Sequence, residues 1–141
     1  MSEPTLFSKI ITGAIPGRFV WRSDDVVAFL TIAPIRPGHV LVVPVAEIDK
    51  WTDLDPGAWA ELTRVSHLIA STIEPLFECQ RVGLIVAGLE VPHCHVHLIP
   101  IRTEADLSFA GADHNASAED LDEAATRIRG ALRSAGHREA D

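Results

Sequence analysis

The stretch VPHCHVHLIP, residues 91–100, carries three histidines at alternate positions, His93, His95 and His97. Successive side chains of a β-strand point to opposite faces, so a strand here would place all three imidazoles on one face. The residues between them would form an apolar opposite face. Such alternation, in a run rich in branched aliphatic residues and bounded by prolines, is typical of a half-buried strand. It predicts that the histidines line a cleft.

The size and charge of the chain limit what that cleft can serve. With 141 residues and 47 % hydrophobic content, we expect a single domain over 1–141, with a core at about 5–102 and a C-terminal loop and helix at 103–141. The net charge of -8 argues against binding of long nucleic acids and of anionic membrane surfaces. A small nucleotide held by local groups stays compatible with it.

The two cysteines, Cys79 and Cys94, form no CxxC pair, and the sequence shows no secretory signal and no apolar run of membrane-spanning length. We therefore expect a cytoplasmic protein with reduced thiols. Cys94 would point away from the histidines, which favours a buried structural thiol over a reactive one.

Periodicity and breakers predict the secondary structure. They indicate a short N-terminal helix at 5–12, strands at 19–21, 26–30, 39–44, 81–87 and 94–101, a long helix opened by Asp55-Pro56 and ended by Pro75, and a C-terminal helix between Ser117 and Gly136. Five strands with short antiparallel connections around one long helix predict the α+β class. The loop at 103–116, which contains Phe109, could fold over a site or over a neighbouring subunit.

Three in-line histidines favour phosphoryl or nucleotidyl transfer. An unperturbed imidazole is mostly neutral at pH 7, so it is nucleophilic without a separate base. If His95 attacks phosphorus, then His93 and His97 are placed to orient it, to contact phosphate oxygens or to pass a proton to a leaving group.

A metal site is the competing chemical interpretation, because a His-x-His pair on a strand can chelate zinc, copper or iron. Residues four apart on a strand are separated by roughly 13 Å, which argues against one ion held by all three histidines. Two of them could still chelate, with His39 or Glu90 completing the set of ligands.

The chain resembles the histidine triad family of nucleotide hydrolases and transferases, and the resemblance covers roughly residues 5–102. Besides the triad, the matching segments are FSKII at 7–11, AIP at 14–16, DVVAFL at 25–30, PGHVLVVP at 37–44, GLEV at 88–91 and LIP at 98–100.

This resemblance implies a five-stranded antiparallel sheet with a long helix, a homodimer, and a reaction through a nucleotidyl-histidine intermediate. On this mapping His95 is the nucleophile, His93 and His97 assist it and contact phosphate, and His39 matches a fourth histidine beside the triad. The residues that match the apolar wall for the base are Leu6, Phe7, Ile10, Phe29 and Ile32. Each of these five, taken alone, is also a candidate for the core.

Three departures from the family pattern concern ligand specificity. Thr31 stands where the family has an acidic residue for the ribose hydroxyls, so one hydroxyl replaces a charged bidentate contact. Leu89 stands where a phosphate-contacting glutamine is common, after a loop shortened to residues 85–88. Glu90 fits bacterial-type members and could accept a hydrogen bond near the triad. The paired cysteines that bind zinc in some members are absent, so we expect no structural zinc. We assign no metal ligand and no cofactor to the chain.

Three hypotheses follow, of which the third is the metal site described above. The first is a nucleotidyl hydrolase or transferase that cleaves a phosphoramidate or phosphoanhydride bond of a small nucleotide through His95. The alternative is a nucleotide-binding or partner-binding module with weak or lost catalysis, motivated by Thr31, Leu89 and the shortened loop.

Overall fold

The computed structural model describes residues 3–141, which form one five-stranded antiparallel sheet with three α-helices. The elements are α1 (Leu6–Ile11), β1 (Phe19–Arg22), β2 (Val26–Leu30), β3 (Val40–Pro44), α2 (Pro56–Ile73), β4 (Arg81–Ile85), β5 (Val96–Ile101) and α3 (Ala118–Ser134). Short 3-10 turns lie at Trp51–Asp53, Glu104–Leu107 and Phe109–Gly111. The strand order is β1-β2-β3-β5-β4. The predicted α+β class, with a short, a long and an added helix, is confirmed.

Helices α2 and α3 cover one face of the sheet. Asp55 caps α2 by accepting a hydrogen bond from the backbone N–H of Ala58, and Ser117 caps α3 in the same way through Asp120. Their apolar stripes pack with alternate residues of the strands into the larger core. Cys94, Val96 and Leu98 belong to this core, as the alternation around the triad predicted.

Helix α1 covers the opposite face of the sheet, where the histidines lie. Phe7 and Ile10 of α1 pack on the residues of β2 and β3 that point this way, which are Val27, Phe29, Leu41 and Val43. Because β2 and β3 lie in the middle of the sheet with both faces covered, every residue in them is buried. This small second core positions α1 against the triad.

The histidine stretch differs from the prediction at its start. Regular pairing in β5 begins at Val96, so His93 and His95 precede the strand proper. The backbone N–H of Cys94 donates to the carbonyl of Ile48 at 2.7 Å instead of to a neighbouring strand. The predicted strand at 81–87 likewise ends earlier, at Ile85.

The two edge strands of the sheet, β1 and β4, have different surroundings. At the β1 edge, the backbone N–H of Arg22 donates to the carbonyl of Glu139 at 2.8 Å, and Ala140 of the same tail is buried. At the β4 edge, Leu84 is 54 % exposed. None of the helices within residues 3–141 is long and apolar enough to cross a membrane.

Candidate active site

His95 is oriented by its own backbone neighbour. Its Nδ1 lies 2.7 Å from the carbonyl oxygen of His93. A carbonyl can only accept, so Nδ1 carries the hydrogen and donates it. In the neutral ring this leaves Nε2 with a free lone pair, which is the form of imidazole that attacks an electrophile.

His93 acts from a buried position. Its ring is 0 % exposed, its Nε2 donates to the carbonyl of Pro44 at 2.7 Å, and its Nδ1 lies 2.7 Å from the hydroxyl of Thr5. Both ring nitrogens are therefore occupied within the chain. This corrects the expectation that His93 contacts phosphate and lines a cleft: its imidazole has no exposed atom, and its contribution to the site is the carbonyl that holds His95.

His39 and His97 form a directed pair. The backbone N–H of Ile35 donates to Nδ1 of His39 at 3.1 Å, so the hydrogen of a neutral His39 resides on Nε2. That Nε2 donates to Nδ1 of His97 at 3.0 Å. Because Nδ1 of His97 accepts this hydrogen bond, a neutral His97 carries its hydrogen on Nε2. This N–H can donate to an anionic group.

Burial keeps these rings neutral. Burial removes water from His39 and, together with the smaller electrostatic effect of His97, lowers the pKa of His39 to about 3. Desolvation, with the neighbouring His95, lowers the pKa of His97 to about 4. Burial also lowers the pKa of His95, although the carbonyl of His93 and the charge of Glu90 act in the opposite direction. At pH 7 the site therefore presents neutral imidazoles.

The five residues predicted as the wall for a base divide into two groups. Phe7, Ile10 and Phe29 are buried within the small core, whereas Leu6 is 45 % and Ile32 is 75 % exposed. Phe7 also meets His95 edge to face, with 4.8 Å between ring centroids. The buried three position the site, and the exposed two stay open to a ligand.

The residues singled out for ligand specificity, Thr31, Glu90 and Leu89, differ in their surroundings. The hydroxyl oxygen of Thr31 accepts a hydrogen bond from the backbone N–H of Ala33 at 3.1 Å, which leaves its O–H free to donate. Glu90 lies close enough to His95 for its charge to raise the pKa of that ring. Leu89 is 96 % exposed and so packs against almost nothing in the chain.

Two site residues stand outside the predicted set. Phe109 meets His97 edge to face at 4.8 Å between centroids, so the loop at 103–116 lies over the histidine side of its own chain. Thr5 caps α1 by accepting from the N–H of Ser8 and also contacts His93. The N-cap pattern marks Thr5 in the sequence. No local pattern predicts that Thr5 contacts His93, 88 positions away, or that Phe109 contacts His97 of β5.

The donor set gives no support to a metal centre. Among the described residues, no three histidine, cysteine or acidic side chains are grouped so that they could hold a metal ion. The lone pairs at His39 Nδ1 and His97 Nδ1 already accept hydrogen bonds, which removes them as ligands in this arrangement.

Comparison with known proteins gives a consistent family. The family model for the HIT domain matches residues 12–104. The chain is 34 % identical over 113 residues to a bis(5'-nucleosyl)-tetraphosphatase of Schizosaccharomyces pombe, an alignment that covers 77 % of this chain and 60 % of that relative. It is 33 % identical over 109 residues to a purine nucleoside phosphoramidase of Escherichia coli, which covers 70 % of this chain and 88 % of the relative.

The fold comparison agrees. A crystal structure of a HIT-like protein from Bartonella henselae superposes with a TM-score of 0.81 at 28 % sequence identity, covering 93 % of this chain and 98 % of that one. The family-model match spans the triad, the His39 segment and all five strands. This chain therefore belongs to the HIT, or histidine triad, family.

Proposed function

We propose that this protein hydrolyses or transfers a nucleotidyl group, with a phosphoramidate or phosphoanhydride of a small nucleotide as substrate. The observation that carries the proposal is the bond from His95 Nδ1 to the carbonyl of His93, since it leaves Nε2 as a free nucleophile. The phosphoramidase and tetraphosphatase to which the chain is similar support the substrate class.

The reaction proceeds in two displacements. Nε2 of His95 attacks the phosphorus, and the bond from phosphorus to the leaving amine or phosphate breaks as that group departs, with an amine taking a proton from water. Water then attacks the nucleotidyl-histidine, the bond from phosphorus to Nε2 breaks, and the nucleoside monophosphate leaves. The Nε2–H of His97 stabilises the charge on the phosphoryl oxygens or the leaving atom in both steps.

The nucleoside is held mainly by apolar contact. Leu6 and Ile32 offer exposed apolar surface, and Phe7, which follows Leu6 in α1, is buried in the small core. The hydroxyl of Thr31 supplies one hydrogen bond to the ribose in place of a carboxylate, which predicts weaker discrimination of the sugar. Glu90 stays a candidate acceptor beside His95, whereas exposed Leu89 adds no polar contact to phosphate.

The test is hydrolysis of adenosine 5′-phosphoramidate by the wild type, His95→Ala and His67→Ala proteins. His67 lies on the exposed side of α2 and serves as the matched control for loss of an imidazole. Loss of the nucleophile is expected to lower kcat by at least about a thousandfold. A nucleotidyl adduct on His95, trapped by alkaline quench and located by mass spectrometry, checks the covalent step. Binding without turnover by the wild type would support the binding-module alternative instead.

We also propose that the protein acts as a homodimer in the cytoplasm. The open β4 edge with exposed Leu84, and exposed Trp51, offer surface for a second copy. Cys79 and Cys94 are unpaired, which suits a reducing compartment. Light scattering gives the mass in solution, and a monomer at micromolar concentration would reject the dimer. Fractionation of cells that express a tagged chain tests the location.

A further inference from the structure

A concavity of about 430 Å³ lies at the β1 edge of the sheet, and none of the four site histidines lines it. Its lining residues are Gly17, Arg18, Phe19, Arg22, Arg129 and Asp141. Half of them are arginines, although the chain has only 12 lysine and arginine residues against 20 acidic ones. The volume falls in the range of small-molecule sites, which is about 300–1,000 Å³. This concavity is therefore large enough and basic enough to hold a small anion.

Two of the three arginines are held in place by neutral groups. Nη2 of Arg22 donates to the carbonyl of Ile11 at 3.2 Å, and its guanidinium carbon lies 3.9 Å from the centre of the Phe19 ring. Nη1 of Arg129 donates to the carbonyl of Phe19 at 2.8 Å. Within residues 3–141, neither Arg22 nor Arg129 forms a salt bridge. Both guanidinium groups are therefore positioned while their charges are not neutralised by a carboxylate.

The third arginine and the acidic residue of the lining complete the charge pattern. Nε of Arg18 pairs with a carboxylate oxygen of Asp122 at 2.7 Å, which leaves the two Nη groups of Arg18 to donate elsewhere. Asp141 is exposed and takes part in none of the salt bridges within the described residues. Its carboxylate lowers the positive potential of the concavity but does not engage the guanidinium groups.

We propose that this concavity is a second ligand site, separate from the histidines, and that it binds a diphosphate group. Guanidinium groups bind phosphate oxygens through paired N–H donors, and they stay charged throughout the physiological pH range. A single phosphate group has too few terminal oxygens to give each of three guanidinium groups its own pair, whereas a diphosphate group has enough. The ligand class follows from this match between Arg18, Arg22 and Arg129 and the oxygens of two linked phosphates.

Calorimetric titration of the full chain with sodium pyrophosphate tests the site. We expect pyrophosphate to bind at least about tenfold more tightly than inorganic phosphate, because it can engage more of the charged donors. Arg22→Gln and Arg129→Gln should each weaken pyrophosphate binding about tenfold, since each removes a charged donor pair. Arg127→Gln is the control: Arg127 lies on the same helix and also donates to a backbone carbonyl, that of Leu76, but does not line the concavity. This variant should bind as the wild type does.

Asp141→Asn should change the affinity in the opposite direction. It removes a negative charge that lines the concavity, so pyrophosphate should bind several-fold more tightly, and the gain should shrink as salt is added. A gain of affinity cannot come from a misfolded variant. This arm therefore keeps the inference testable even where an arginine variant loses stability because its hydrogen bond to a backbone carbonyl is gone.

The Nε–H resonances of the arginines show where the anion binds. In ¹⁵N-labelled protein, those of Arg22 and Arg129 should shift on addition of pyrophosphate, and each is assigned by its absence from the spectrum of the corresponding variant. The resonance of Arg127 should stay in place. Shifts confined to other arginines would place the anion elsewhere and overturn the inference.

Free pyrophosphate and the diphosphate of a nucleotide share the chemistry that the arginines recognise, and titration with ADP separates them. If Arg129→Gln weakens ADP as much as pyrophosphate, the site accepts nucleotides; if it weakens pyrophosphate alone, the ligand is the free anion. Both results support a diphosphate site. Equal affinities for phosphate and pyrophosphate, or equal losses in Arg127→Gln and Arg129→Gln, would reject it. None of these measurements requires turnover, so an inactive wild type would reject the proposed function and leave this inference standing.

Discussion

Nε2 of His39 lies 3.0 Å from Nδ1 of His97, which joins two side chains 58 positions apart in the sequence. His39 directly precedes β3 and His97 lies in β5, and the two strands are neighbours in the sheet. The antiparallel register opposite Leu41 turns His97 to the face that α1 covers. The direction of this hydrogen bond is set one step further away, by the backbone N–H of Ile35.

Replacement of His39 by two amides of different length tests this direction. Glutamine can place its amide N–H near the original Nε2 and still donate to His97, whereas asparagine can replace only the Nδ1 acceptor and leaves His97 without its donor. We expect His39→Asn to lower kcat by up to about a hundredfold, the lower end of what a positioned acid–base group contributes. His39→Gln should retain several times more activity than His39→Asn. Similar activity of the two variants would show that the donor does not matter.

As the pH falls, the free energy of unfolding should begin to decrease at a higher pH than protonation of the carboxylates alone would cause. The pKa is lowered to about 3 for His39 and to about 4 for His97, while both rings titrate near 6.5 in the unfolded chain. Below pH 6.5 the unfolded state therefore binds more protons than the folded state. The stability that these rings contribute is complete above pH 6.5 and is lost as the pH falls towards 4 and then 3.

Urea unfolding at half-unit steps between pH 7.5 and 4.5 measures this effect. Each ring lowers the free energy of unfolding by at most about 1.4 kcal/mol per pH unit in this window. In His39→Gln one of the two contributions is absent, so the slope should be smaller. A variant with the same slope as the wild type would assign the loss of stability to other groups.

Thr5 should influence both stability and catalysis. Thr5→Ala removes the cap of α1 and the hydroxyl that contacts Nδ1 of His93, so we expect a loss of about 1 kcal/mol and a lower kcat. Ser117→Ala removes the cap of α3 in the same way, but Ser117 has no contact with a triad residue among the hydrogen bonds of the described chain. It should lose stability and keep its kcat, and Thr5→Ser should restore both properties.

Gly38 should tolerate no side chain, because two costs combine there. Its φ is +90°, and a Cβ would lie 2.6 Å from the Cδ2 atom of Phe77. We expect Gly38→Ala to cost about 3 kcal/mol, from overpacking plus a left-handed backbone. Gly13 also has a positive φ, +88°, but no atom lies within 4 Å of its added Cβ, so Gly13→Ala should cost about 1 kcal/mol. Thermal unfolding of both variants separates the steric cost from the backbone cost.

The elements that local pattern determines could be predicted from the sequence. Asp55-Pro56 and Ser117 mark the starts of α2 and α3. The alternation around the triad correctly predicted that Cys94, Val96 and Leu98 point into the larger core. Local pattern does not contain the carbonyls of Pro44 and Ile48, which come from a distant segment and hold the chain at 93–94 outside the regular strand. The buried ring of His93 is the result of those distant partners.

Part of the candidate site could also be predicted from the sequence. The spacing of the triad and the match of His39 bring four imidazoles to one face, and the structure adds how three of them are linked by hydrogen bonds or ring contacts. Phe109 could not be assigned in advance. Its loop is positioned by the packing of Leu107 on Gly83, a contact between segments with no shared sequence pattern.

The contact between Arg22 and the tail residue Glu139 has a consequence for assembly. At the β1 edge of the sheet, the tail accepts a hydrogen bond from Arg22, whereas within residues 3–141 no further strand pairs with the outer side of β4. A protein with two free boundaries can add copies without limit and form a filament. In the proposed homodimer, pairing of strands through the single free boundary would stop at two copies related by a twofold axis, so the continuous sheet would be finite.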